Sequence, residues 1–127
     1  MTREEFIAVL KKKRYSYEMK GDKIVITHSG WIDLSSLKTI PSDVHFENSG
    51  DVHLSALKTL PPGVEFRNRW NVYLINLKTL PPGVEFENGW DIYLKGLGWV
   101  NDNKGIGIEG VENKRLLHLM ISKGLFI

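Results

Sequence analysis

Four histidines, His28, His45, His53 and His118, are the side chains of this 127-residue sequence best suited to metal or acid–base chemistry. His45 and His53 fall on the outward sides of two short segments with alternating apolar residues, and His28 stands one repeat period before Asn48. Imidazoles so placed can approach one another. A zinc site would also need partners that orient the imidazoles. No consistent carboxylate accompanies them, and one period later Glu65 and Tyr73 stand in place of His45 and His53. They read as surface and turn histidines, so neither a metal nor a cofactor is expected. The sequence has no cysteine, which excludes thiolate nucleophiles, thiolate metal sites and disulfides. It also lacks nucleophile-elbow, phosphate-loop and His-Glu-x-x-His signatures, and no enzyme is expected.

Recognition chemistry is better represented. Trp70 and Tyr73 recur one period later as Trp90 and Tyr93, and His53 takes the tyrosine position one period earlier. Tyrosine and tryptophan concentrate at binding hot spots, which makes Trp70, Tyr73, Trp90, Tyr93 and His53 the first candidate surface for a protein partner. A purely structural reading has the Trp pair covering a corner of the core and the Tyr pair bracing neighbouring strands. Lys38, Lys58 and Lys78, each beside a threonine, form a second periodic set. Together with the run Lys11, Lys12, Lys13 and Arg14 they are the candidate contacts for a nucleic acid. Periodic surface lysines also discourage edge-to-edge association of strands, and basic residues at a helix C-terminus complement its dipole.

These sets share a period because the whole middle of the chain repeats. Lys58-Thr59-Leu60-Pro61-Pro62-Gly63-Val64-Glu65-Phe66-Arg67-Asn68 recurs from Lys78 to Asn88 with a single difference, Glu87 in place of Arg67, and a degenerate copy starts at Lys38. The period, from Lys38 to Lys58 to Lys78, is twenty without slippage. Val64 and Phe66, then Val72 and Leu74, are apolar at every second position and mark two short strands with one inward face each. So short a unit has no room for a strand–helix–strand crossover. Coils stacked in register solve the packing problem, giving a short β-solenoid of about four turns over residues 24–97. Each position then becomes a column: Phe46, Phe66 and Phe86 fill the core, and Asn48, Asn68 and Asn88 form a structural ladder at the turn.

The unit resembles the short leucine-rich repeats of bacteria, in which Leu-x-x-Leu-Pro and a Val/Leu-x-Leu strand alternate with an Asn. It resembles more closely small proteins of bacteria and their phages built on Leu-Pro-Pro-Gly-Val-x-Phe-x-Asn arrays. Val-x-Phe-x-Asn departs from the usual leucine-rich pattern, so an all-β coil is expected in place of a horseshoe with a helical convex side. The resemblance implies a scaffold for recognition, and with it an inhibitor or adaptor acting on a protein complex of the bacterial host.

An open solenoid needs caps at both ends. Thr2-Arg3-Glu4-Glu5 is a capping box opening a helix to about Lys12, and a hairpin around Lys20-Gly21-Asp22 completes an N-terminal cap over residues 1–23. Residues 98–127 supply the other cap, with a turn at 101–105, a short strand at Ile106 and Ile108, and a helix over 113–123. The single domain is therefore mainly β, leucine-rich-repeat-like and doubly capped. Residues 1–23 carry a net charge of +3 (seven basic, four acidic), residues 24–97 a net −2 (six and eight), and residues 98–127 a net +1 (four and three), giving +2 in all. This balance gives no strong pull toward anionic polymers. Without a secretory leader or a membrane-length apolar run, the cytoplasm of the host is the expected setting. Three functions remain open: non-catalytic protein recognition, nucleic-acid binding, and structural self-association.

Overall fold

The computed structural model describes residues 1–81, 83–94, 106–108 and 118–119. Helix α1 (Arg3–Lys12) begins at the capping box that the sequence announces: Thr2 Oγ1 accepts the Glu5 amide at 3.1 Å, and Glu5 Oε1 accepts the Thr2 amide at 3.0 Å. The backbone hydrogen bond from Thr2, then the one from its side chain, holds the Glu5 carboxyl below its ordinary pKa. Phe6 and Leu10, one turn apart, are fully buried and belong to the same core cluster as Ile24 and Ile26. Strands β1 (Tyr17–Lys20) and β2 (Lys23–Ile26) form the antiparallel hairpin that leads into the repeats.

From β2 onward each coil gives one short strand to each of two parallel sheets. The first sheet continues through β4 (Val44–Phe46), β6 (Glu65–Phe66) and β8 (Glu85–Phe86). The second contains β3 (Ile32–Asp33), β5 (Val52–His53), β7 (Val72–Leu74) and β9 (Ile92–Leu94). Phe46 pairs with Phe66 and Phe66 with Phe86, just as Val52 pairs with Val72 and Val72 with Ile92, so one sequence period is one coil. This is the expected β-solenoid. Strand β10 (Ile106–Ile108) pairs antiparallel with β9 and closes the far end of the second sheet.

The inward columns are fully or almost fully buried, and each such aliphatic or Phe side chain contributes about 1.5–3 kcal/mol of burial free energy. Phe46, Phe66 and Phe86 stack with centroids 5.0 and 5.1 Å apart and planes within 4°. At the corner, the amide nitrogen of Asn68 donates to the carbonyls of Gly50, Trp70 and Asn71 at 3.1–3.2 Å. Asn48 and Asn88 repeat this bonding one coil below and above. Three carbonyl neighbours settle which end of each amide is nitrogen. The ladder thus ties each of these corners to the preceding coil. Close stacking also explains Gly50, where an added Cβ would come within 2.5 Å of the Trp31 nitrogen and 2.6 Å of the Gly30 carbonyl carbon.

Of the C-terminal cap, β10 is as expected, and His118 and Leu119 are helical. The remainder of the helix expected over 113–123, like the turn at 101–105, lies outside the described residues. His118 sits on the last coil: its Nε2 accepts the Phe86 amide at 2.9 Å. Among the described residues, no helix is long and apolar enough to cross a membrane.

Candidate functional site

Because Val52, Leu54, Val72 and Leu74 turn inward, His53 and Tyr73 must face the other side of the second sheet. Parallel register then stacks the outward residues directly. His53 and Tyr73 lie 4.5 Å apart with planes within 8°, and Tyr73 and Tyr93 follow at 4.9 Å and 7°. Beside them Trp70 and Trp90 stack at 5.1 Å and 13°, yet remain 42% and 53% exposed. The Trp pair therefore does not serve as a buried corner of the core. All five residues singled out from the sequence fall on one face.

The structure adds members that a strict reading of the repeat missed. Trp31 is 60% exposed and meets the His53 ring edge-on at 6.2 Å. It stands one position later in its coil than Trp70 does in its own, so the repeat alone gives no signal for it. Asp51, Asn71 and Asp91 form a polar column between the two aromatic ones. Asp51 Oδ1 accepts the Asn71 amide at 2.9 Å, and Asn71 Oδ1 accepts the Asp91 amide at 3.0 Å. The same column holds the rings: Asn71 Nδ2 donates to Tyr73 Oη at 3.2 Å, and Tyr93 Oη donates to Asp91 Oδ2 at 3.3 Å. The two tyrosine rings are thus oriented by the polar column, and the Trp70 and Trp90 rings by their mutual stacking.

Asp33 ends the outward column below His53 and brings a serine with it. The hydrogen bond from the Ser35 hydroxyl, then that from the Ser35 amide, holds the Asp33 carboxyl below its ordinary pKa, with Lys13 and His53 adding weaker attraction. Since the Ser35 hydroxyl donates to a carboxylate and not to an imidazole, this group lacks the serine–histidine bond of an activated nucleophile.

The two basic sets are separated. Lys38, Lys58 and Lys78 are exposed, in successive coils. The N-terminal ammonium, ahead of α1, lies 3.4 Å from Thr39 Oγ1 and so beside Lys38. At the other end of this helix, about 15 Å away, the Tyr15 hydroxyl that follows the basic run accepts the Asp33 amide at 3.0 Å. The run Lys11, Lys12, Lys13 and Arg14 therefore lies at the end of α1 that adjoins Asp33, about one helix length from Lys38.

One histidine departs from expectation. His45, read as a surface side chain, is only 7% exposed, and its Nδ1 lies 3.1 Å from the carboxylate of Glu65, its register partner in the next coil. The residue that replaces His45 in the repeat is its partner in space. Arg67 in turn reaches Glu65 and Glu87, each at 3.4 Å. A polar cleft of about 380 Å³ opens beside this network. His28 is occupied separately, accepting the Ser16 amide on Nδ1 at 3.3 Å. Among the described residues, no group of three His, Asp or Glu side chains is placed to hold a metal ion.

Comparison of the chain with family models, curated proteins and solved structures finds no match.

Proposed function

We propose that this chain is a non-catalytic recognition module whose contact surface is the aromatic face built by Trp31, His53, Trp70, Tyr73, Trp90 and Tyr93. The observation that carries the reading is the Trp70–Trp90 stack, ordered at 5.1 Å and about half open to solvent. Large, pre-positioned aromatic area costs little conformational entropy on binding and supplies hot-spot contacts. The resemblance of the repeat to bacterial and phage arrays supports a protein of the bacterial host as partner, bound by an inhibitor or adaptor. The mild net charge of +2 supports this reading over nucleic-acid binding.

Capture of partner proteins from nuclease-treated bacterial lysate tests it. The double variant Trp70→Ala, Trp90→Ala is expected to lose capture while keeping the wild-type circular dichroism spectrum and cooperative unfolding. Changing Lys38, Lys58 and Lys78 to Glu is expected to leave capture intact. The reverse pattern, with loss on nuclease treatment and a steep salt dependence, would transfer the site to the lysines.

A further inference from the structure

The aromatic face contains a step. Gly30, Gly50, Trp70 and Trp90 hold equivalent places in successive coils, because the ladder amides bridge their carbonyls pairwise: Asn48 joins Gly30 to Gly50, Asn68 joins Gly50 to Trp70, and Asn88 joins Trp70 to Trp90. Trp70 therefore stacks on a ring from the coil above, while the two coils below carry no side chain at that place. The residue following Gly50 is Asp51. One of its oxygens is fixed by the Asn71 amide at 2.9 Å; the other lies 4.0 Å from His53 Nε2, and the side chain is 30% exposed.

We propose that this step receives an arginine side chain from a basic segment of the partner protein, its guanidinium stacked on the face of Trp70 turned away from Trp90 and hydrogen-bonded to Asp51. The inference rests on the contact-surface reading above and names the chemistry that this surface selects. Tryptophan is the best aromatic partner for a cation, and the planar guanidinium can stack and hydrogen-bond to a carboxylate at once. Asp33, Asp51 and Asp91 lie along the face, while Arg69 and Lys13 border it. The chain as a whole carries +2, so long-range attraction does not favour a cationic partner and selection falls to the local geometry. A nucleobase could stack on Trp70 equally well, but its phosphates would meet the aspartates.

Three blocked Gly-Ser peptides test the proposal, carrying three arginines, three lysines or three glutamates, each titrated to about 10 mM into the full chain. Indole N–H resonances are followed by NMR, with Trp70 assigned from Trp70→Phe. A single-stranded oligothymidylate serves as a fourth probe. The arginine peptide is expected to move the Trp70 resonance and to bind about fivefold more tightly than the lysine peptide. Asp51→Asn should weaken that binding about tenfold. This variant keeps the acceptor for the Asn71 amide, since Asn71 fills the same role one coil above. No movement of Trp70, equal response to lysine, indifference to Asp51→Asn, or a response to oligothymidylate alone would overturn the arginine seat. If the Trp70→Ala, Trp90→Ala variant loses partner capture while the arginine peptide moves nothing, the contact surface stands and only the seat falls. If that variant captures normally, both fall.

Discussion

The Tyr15 hydroxyl accepts the Asp33 amide at 3.0 Å and so occupies the place where a carbonyl of a further coil would pair with β3. A solenoid's end strands expose unpaired amides that invite another chain. Here a side chain from the N-terminal cap closes one such edge, and His118 does the same for Phe86 at the other end of the other sheet.

Removal of the plug should therefore cost more than one surface hydrogen bond. Tyr15→Phe leaves the Asp33 amide unpaired in a half-buried setting and is expected to destabilise the fold by about 1–3 kcal/mol. Urea unfolding measures the loss, and hydrogen exchange should accelerate at the Asp33 amide first. An unchanged midpoint and unchanged exchange would mean that water replaces the hydroxyl.

The ladder is the most sensitive polar element. Asn68→Asp replaces a donor facing three carbonyls with an acceptor, in a side chain that is almost wholly buried. A loss of about 3 kcal/mol or more is expected, exceeding that of the same change at exposed Asn76. Equal effects at both positions would show that the ladder does not hold the coils together.

Asp33, like Glu5 at the capping box, should lend the fold acid sensitivity. Its carboxyl lies below the ordinary value in the folded chain, so its contribution to stability is complete above the unfolded value of about 3.9 and disappears as pH falls through the folded one. Ser35→Ala removes the first cause of the shift. In an NMR titration the Asp33 carboxyl of the variant should titrate at higher pH than in the wild type, and the stability difference between the two should vanish in strong acid. An unmoved titration would assign the shift to another group.

Gly50→Ala tests the closeness of stacking. Its Cβ would press on backbone of the coil below, which cannot rotate away as a side chain would. A loss of about 1–3 kcal/mol is expected from thermal or urea unfolding, whereas Gly83→Ala meets no neighbouring atom and is strained only by its positive φ of 93°.

Most of this architecture was legible because each coil spans one sequence period without slippage, so column partners follow from numbering alone. The Phe stack, the Asn ladder and the Trp and Tyr columns all follow from that rule. What escaped it involves contacts outside the register. Trp31 reaches the face from a neighbouring position in its coil, and Tyr15 reaches β3 from the cap. His45 escaped for another reason: the repeat shows Glu65 as its replacement, but vertical stacking turns replacements into neighbours. The two basic sets, grouped by charge in the sequence, lie toward opposite ends of α1.

Site-specific photo-crosslinking in bacterial cells shows which face of the solenoid meets the partner. A benzophenone side chain placed at position 69, exposed at the border of the aromatic stack, is compared with one at position 58, on the exposed lysine column. A discrete protein adduct is expected from position 69 and none from position 58. Adducts from position 58 alone, with position 69 silent, would contradict the aromatic contact surface.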